Sequence, residues 1–150
     1  MRKNIKNIFL ICIISMLFLS MFSCQEEQTA YEIISEFTRA YGATGIIYSP
    51  HIAEGQPGYV GDGLIERAYH FSGRFPDDYA ILLNSHTTEP SECGAFICQD
   101  ADTLASAEEF CLERVRLLGG GFVKRRGRVV YYSTMQDAER AERLFKEIIN

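Results

Sequence analysis

Histidine is scarce in this chain of 150 residues, with only His51, His70 and His86 present. Nucleophilic hydrolysis requires a base beside a serine, threonine or cysteine. His86, which has Ser85 and Glu89 nearby, is the most suggestive group, but neighbours on one loop rarely meet in the geometry of a catalytic triad. We therefore predict that the protein is not an enzyme, and a small extracellular hydrolase using His86 or His51 is the alternative.

Two common kinds of ligand site also have no signature in the sequence. The cysteines form no CxxC pair and no paired histidines accompany them, which fits poorly with zinc spacing. The glycines at 119–121 follow a predicted helix and precede a predicted strand, the reverse of the order that places backbone donors around a phosphate. We therefore predict neither a metal nor a cofactor.

The long apolar run of this chain lies at the N-terminus. Three cations stand within the first six residues, a predominantly apolar stretch follows over 8–22, and Ser23 precedes Cys24. A basic head, an apolar middle and a small residue before the break are typical of a secretory signal. The run is shorter than the roughly 20 residues that a membrane-spanning helix requires. We therefore predict a signal peptide over 1–23 and export of the remainder.

Cys24 stands where bacterial lipoproteins carry their anchor. In these proteins a cysteine directly after a small residue receives a diacylglyceryl group on its sulfur and becomes the mature N-terminus. We predict lipidation of Cys24, a tether over 24–28, and a single domain over 29–150 held outside the cytoplasm at the cell membrane. Ordinary cleavage beside a free cysteine is the alternative.

Positive charge is in the minority. The chain has 15 lysines and arginines against 20 acidic residues and a formal net charge of −5, and without the three leader cations the remainder carries −8. Binding to nucleic acid depends on neutralising phosphates with lysine and arginine, so we expect no nucleic-acid partner. An acidic surface is also repelled by an anionic membrane, which predicts a domain that stands off the bilayer on its tether.

Three cysteines remain in the predicted domain. On an extended strand Cys93 and Cys98 would lie roughly 16 Å apart, too far for a disulfide between them. A bridge from either one to Cys111 stays open. We favour the other interpretation, in which all three are free thiols that pack as small hydrophobic residues.

Hydrophobic patterns predict a strand-strand-helix order that occurs twice. Four runs bounded by turn signals are predicted strands, at 79–84, 93–98, 122–125 and 128–133. A helix that begins at Asp100 or Asp102 follows the second strand, and a helix capped by Thr134 follows the fourth. Two hairpins that share an edge make a four-stranded antiparallel sheet, and helices on one face would cover it. We predict an α+β two-layer sandwich with additional N-terminal helices.

The N-terminal part of the domain begins with a capping box. Thr29-x-x-Glu32 predicts a helix start and Gly42 its end. Over 43–63 glycine and proline interrupt the periodicity, leaving only Gly45–Tyr48 as a short strand. A helix starting at Asp62 would follow.

The stretch over 43–63 is a candidate contact surface. Long loops inside compact domains are either functional or mobile. Tyr48, His51 and Tyr59 would form an aromatic, partly polar patch, through which the domain could bind a neighbouring membrane protein. A floppy connector is the alternative.

Four cations crowd one predicted hairpin tip around Gly127: Lys124, Arg125, Arg126 and Arg128. Such a cluster is suited to a phosphate-rich wall polymer, a lipid headgroup or an acidic partner. The alternative is a solvated turn whose charges discourage aggregation through the sheet edge.

Several segments carry a resemblance to a known family. They are the predicted lipidated cysteine, residues 75–81 (FPDDYAI), residues 92–97 (ECGAFI), Arg114 on the following helix, and residues 124–132 around Gly127. In order and local pattern the chain resembles the uncharacterised short lipoproteins of low-GC Gram-positive anaerobes, known only as a domain of unknown function.

The resemblance implies export and tethering, and it supplies no catalytic residue. It also implies a neighbouring membrane-bound O-acyltransferase of envelope polymers as a partner. The acidic residues after Cys24 resemble instead the surface lipoproteins of Bacteroidota. The sequence thus predicts a membrane-tethered, non-catalytic accessory or binding module of a cell-envelope complex.

Overall fold

The computed structural model describes residues 27–61, 63–68, 74–85 and 91–149. The predicted signal peptide and the predicted lipidation site at Cys24 lie outside these residues. So do His70, His86 and the predicted helix start at Asp62.

Within the described residues the chain forms four helices and five strands. The helices are α1 (Ala30–Tyr41), α2 (Leu64–Ala68), α3 (Ala101–Leu117) and α4 (Ala138–Ile148). The strands are β1 (Gly45–Tyr48), β2 (Asp78–Asn84), β3 (Ser91–Ile97), β4 (Phe122–Arg126) and β5 (Val129–Ser133). None of the described helices has the length and apolar character that crossing a membrane requires.

The strands form one antiparallel sheet in the order β1-β2-β3-β5-β4. The α+β class and the two hairpins, β2–β3 and β4–β5, are confirmed, and they share the predicted edge through the pairing of β3 with β5. The predicted count of four strands is wrong. β1 adds a fifth strand beside β2, because its short apolar run pairs in full with Ile81 to Asn84.

The sheet is covered on both faces, so the predicted two-layer arrangement describes only half of the packing. Along β2, Ala80 and Leu82 pack under α1 and α4, whereas Tyr79 and Ile81 face α3. Successive side chains of a strand point to opposite faces, and a strand that is apolar at every position is buried on both. The two helices of the repeated unit therefore lie on opposite sides of the sheet.

The helix caps predicted from the sequence agree with the structure, with one exception. The Thr29 hydroxyl accepts from the Glu32 N–H and the Glu32 carboxylate accepts from the Thr29 N–H, which confirms the predicted capping box at α1. The predicted cap at Thr134 is wrong. The Asp137 carboxylate caps α4 by accepting from the Arg140 N–H at 3.0 Å, because the Thr134 hydroxyl instead accepts from the Glu92 N–H at 2.9 Å.

The stretch over 43–63 is packed rather than structureless. After β1 the chain turns and returns, so that the Ser49 N–H donates to the Gly58 carbonyl at 3.2 Å and Ser49 pairs with Tyr59 in a parallel bridge. A Cβ at Gly58 would collide with the Ile47 carbonyl oxygen. Val60 is buried in the cluster under α3. The segment thus closes the outer edge of β1.

The three cysteines are free and buried, as the favoured interpretation predicted. Cys93 lies in the cluster under α1 and α4, and Cys98 and Cys111 lie in the cluster under α3. Burial raises the pKa of the Cys98 thiol to about 11 and the pKa values of the other two well above their ordinary range. Since the thiolate is the reactive form, these thiols are protected in the folded chain.

Gly94 on β3 supplies a test of the packing between β3 and its neighbours. A Cβ there would stand 2.6 Å from Cε1 of the Tyr132 ring and 3.2 Å from the Ala80 carbonyl oxygen. Overpacking of a filled core costs about 1–3 kcal/mol. We expect Gly94→Ala to lower the free energy of unfolding by this amount, as measured by urea denaturation.

Gly61→Ala is the matched control, because the atoms nearest to its added Cβ lie 3.9 Å away, on the Tyr59 side chain. Equal stability of the two variants would contradict the described packing of Tyr132 over β3.

Candidate functional site at the tether end of the sheet

The strand register brings the chain's candidate binding residues to one end of the sheet. Tyr48 pairs with Ile81, Ile97 pairs with both Asp78 and Val129, and β4 ends opposite Val129. The ends of β1, β3 and β4 therefore lie beside the starts of β2 and β5. We call this the tether end, because residues 27–29 reach the domain here.

The first described residue is held at the β4–β5 hairpin. The Glu27 carboxylate forms an exposed ion pair with the Arg128 guanidinium. Two residues beyond Gln28, the Ala30 N–H donates to the Asp78 carboxylate at 3.3 Å. A groove of about 200 Å³ accompanies this path, and it is lined by Glu27, Gln28, Ile33, Ile97, Arg126, Gly127, Arg128, Val129 and Ile149. The chain thus crosses the tether end from the hairpin towards β2.

His51 meets a carboxylate at the same end. Its Nε2 lies 3.0 Å from Oδ1 of Asp78, and the two side chains are 42% and 28% exposed. Asp78 precedes the predicted strand at 79–84, and in the structure it is the first residue of β2. Because it also accepts from the Ala30 N–H, it joins the loop, the sheet and the start of α1.

The geometry at His51 bears on the hydrolase alternative. The buried Ser49 hydroxyl accepts from the His51 backbone N–H at 3.2 Å. Within the described residues no hydroxyl hydrogen-bonds to the His51 ring, whose partner is Asp78. A histidine and a carboxylate are thus paired, as they are in a catalytic triad. The nearby Ser49 hydroxyl binds the loop backbone and not the His51 ring.

The two tyrosines of the predicted aromatic patch differ in their surroundings. Tyr48 is partly buried against the cluster under α3, whereas Tyr59 is 38% exposed. The structure brings Tyr48 and His51 to the tether end. Tyr59 pairs with Ser49, the residue after Tyr48, so it lies beside the same end on the returning segment.

Three of the four cations of the hairpin tip lie on the edge strand β4 and are divided between its two faces, and Arg128 lies in the turn that follows. Lys124 and Arg126 face α4, where the Lys124 ammonium lies 3.7 Å from the Glu142 carboxylate and Arg126 donates to the Lys146 carbonyl at 2.7 Å. Strand alternation turns Arg125 to the other face, where it donates to the Gly127 carbonyl at 3.2 Å. The sequence suggested one cluster, and the pleat of the strand separates it.

Glu142 is the acidic centre of the α4 side. Its carboxylate accepts from the Lys146 ammonium at 2.6 Å. The hydrogen bond from Lys146, with Lys124 nearby, lowers the pKa of Glu142 below its ordinary value, and the same bond raises the pKa of Lys146. Both stay charged at neutral pH.

The opposite end of the sheet contains a buried ionic network that sequence reasoning missed. Arg114 donates from Nε and Nη2 to the two carboxylate oxygens of Glu92, each over 2.7 Å, and the Tyr132 hydroxyl donates to Glu92 Oε1 over 2.7 Å. Glu92 is only 3% exposed. Burial and the Glu92 charge raise the pKa of Tyr132 well above its ordinary value, so Tyr132 stays a donor.

Arg114 stands next to Glu113 and close to Arg116, and the sequence pattern predicts that all three face outward, which is wrong for Arg114. It follows the buried Ala107 by seven residues and the buried Cys111 by three, which places it on the inner stripe of α3. Glu92 lies on β3, which is flanked by β2 and β5. The sequence did carry a signal for this pair: Glu92 interrupts the apolar run of β3, and Arg114 falls on the apolar stripe of α3. Because buried charges are normally paired, two such residues predict an ion pair.

Within the described ranges, no three histidine, cysteine or acidic side chains are grouped to hold a metal ion. Comparison with protein-family models, curated proteins and solved structures found no match.

The buried pair between Glu92 and Arg114 has an exposed counterpart on the same helix. Removing one partner of a buried ion pair costs about 3–5 kcal/mol, because the other charge stays buried. We expect Glu92→Gln to lower the free energy of unfolding by this amount in urea denaturation.

The matched control is Glu113→Gln. Glu113 forms an exposed ion pair with Arg116 over 2.6 Å, and exposed ion pairs contribute little to stability. Equal effects of the two substitutions would show that the Glu92 pair is not desolvated.

Proposed function

We propose that this chain is a lipoprotein anchored outside the cytoplasm through Cys24, acting as a non-catalytic accessory or binding module of a cell-envelope complex. The observation that carries the proposal is the short path from Cys24 to the domain. Glu27 is already paired with Arg128, and α1 begins at Ala30. A domain that starts this close to its anchor works at the membrane surface.

The proposal includes membership of the uncharacterised family of short lipoproteins. The segments that carry the resemblance meet in the cluster under α3. Residues 75, 79 and 96 form an edge-to-face and stacked aromatic group, and the network of Glu92, Arg114 and Tyr132 adjoins it. These residues have packing roles, so a resemblance carried by them supports a common fold and does not imply a common reaction.

The proposed partner is a membrane protein such as an O-acyltransferase of envelope polymers. Two features of the described residues suit a docking role. The tether end presents the His51–Asp78 pair and the hairpin arginines to solvent, and the packed segment that closes β1 exposes Tyr59. Aromatic and arginine side chains are enriched among the residues that dominate protein interfaces.

Processing of the N-terminus tests the anchor. We expect the protein isolated from cell membranes to lack residues 1–23 and to carry the mass of a diacylglyceryl group on Cys24, as measured by intact-mass and peptide mass spectrometry. In Cys24→Ala that added mass is lost.

Cys12→Ala is the control, since this cysteine lies inside the predicted signal peptide and its loss should change neither mass nor membrane association. A bare sulfur at Cys24, with cleavage elsewhere, would refute the proposal.

Capture of neighbours tests the accessory role. Because Val60 is part of the core, deletion of the 43–63 segment would remove packing as well as surface. We therefore expect Tyr59→Ala to reduce crosslinking to one envelope membrane protein in intact cells at least severalfold, as quantified by mass spectrometry.

Leu112→Ala provides the comparison, because Leu112 is 60% exposed on α3 and away from that segment. Similar capture by the native chain and both variants would remove Tyr59 from the interface.

A further inference from the structure

The acidic composition predicted that the domain stands off an anionic bilayer, and the placement of its cations points the other way. Arg125, Arg126 and Arg128 are exposed at the tip of the β4–β5 hairpin. The tip is also where Glu27 meets the domain. The corner of the domain that the anchor brings nearest to the membrane therefore carries three exposed arginines, although the rest of the tether end also holds acidic side chains such as Asp77 and Asp102.

Chain length sets how far this tip can be from the bilayer. Two residues lie between Cys24 and Glu27, and the three Cα–Cα steps that join them span at most about 10 Å when fully extended. The Debye length at physiological ionic strength is about 8 Å. The two lengths are similar, so any tether short of full extension holds the cations beside Glu27 within the range in which a charged surface attracts them.

We propose that Arg126 and Arg128 bind anionic lipid headgroups and hold the tether end of the sheet against the bilayer, with Arg125 adding to the attraction from the other face of β4. This inference rests on the proposed lipid anchor at Cys24. Arginine suits the role because its planar guanidinium binds phosphate oxygens through two parallel N–H donors.

The acidic groups near the tip do not cancel this charge. Glu27 and Glu142 are shared among Arg128, Lys124 and Lys146, which leaves an excess of cations at the hairpin. Farther along the tether end, Asp78 and Asp100 pair with His51 and Arg74, whereas Asp77 and Asp102 are exposed and oppose the attraction, so the hairpin tip must supply it. Arg126 also donates to the Lys146 carbonyl, and this bond holds the tip beside the end of α4.

The orientation can be measured on the processed protein reconstituted in vesicles. Cysteines introduced by Gln99→Cys at the tether end and Gln136→Cys at the opposite end carry a fluorophore, and both positions are exposed. The three native thiols are buried and do not compete for the label. Vesicles of phosphatidylcholine, or of an equimolar mixture with phosphatidylglycerol, contain a quencher attached to a lipid headgroup.

We expect strong quenching at position 99 and weak quenching at position 136 in the anionic vesicles, with a smaller contrast in the neutral ones. Each cation near an anionic surface changes the ratio of docked to undocked domain about fivefold. The double variant Arg126→Gln with Arg128→Gln should therefore lose most of the contrast, and added salt should reduce it in the native chain.

The control variant combines Arg39→Gln with Arg116→Gln, which removes the same charge from exposed sites away from the tip. Equal quenching in neutral and anionic vesicles, or equal behaviour of the two double variants, would overturn the inference. So would unchanged quenching in a tip variant that loses a crosslinked membrane protein, because the arginines would then bind protein. The salt series on the native chain decides the matter if the tip variant does not fold.

The mass of the processed chain shows, in a separate measurement, whether Cys24 carries the lipid anchor. If Cys24 carries no lipid, cosedimentation of the soluble chain with the same two kinds of vesicle still tests the arginines. Binding to anionic vesicles that the tip variant loses would uphold headgroup recognition without the anchor, and absence of binding would overturn it.

Discussion

The antiparallel pairing of β3 with β5 is the contact on which the rest of the structure depends. It joins the two strand-strand-helix units along the register from Cys93 opposite Ser133 to Ile97 opposite Val129. A shift of one residue would exchange the two faces of β5. Because Tyr131 belongs to the cluster under α1 and α4 and Tyr132 to the cluster under α3, both cores would be lost together.

The Glu92 network fixes α3 to this seam. An apolar replacement of a buried ion pair is often as stable as the pair itself, so the network is weak evidence for stability. Its geometric demand is high, however. Arg114 must present two donors to one carboxylate while Tyr132 presents a third, and this requirement sets both the rotation and the axial position of α3.

Local chemistry made part of this fold predictable. The capping box at Thr29, the left-handed Gly42 that ends α1, and the two hairpins all depend on residues close in sequence. The class and the antiparallel sheet follow from them. The second helical layer was missed because the helix stripes show which side of a helix is buried and do not show which face of a sheet receives it.

The candidate site was harder to predict, for a related reason. Neighbouring cations at 124–128 suggest a cluster, whereas alternation along β4 sends Lys124 and Arg126 to one face and Arg125 to the other. The meeting of His51 with Asp78 joins residues far apart in the chain, and it depends on the return of the loop beside β1. Only the assembled sheet reveals that this pair, the hairpin tip and the start of α1 share one end.

The two outer strands of the sheet are protected by different means. Charged side chains lie along β4. The returning segment around Gly58 instead covers the outer edge of β1 (Gly-Ile-Ile-Tyr) next to Ile47 and Ser49. A proteolytic nick in that turn would loosen the segment and bare the backbone groups that it covers, from Ile47 to Ser49. The freed segment would take Val60 out of the cluster under α3, so the nicked protein would lose part of that core while its uncovered β1 edge pairs with a strand from another copy.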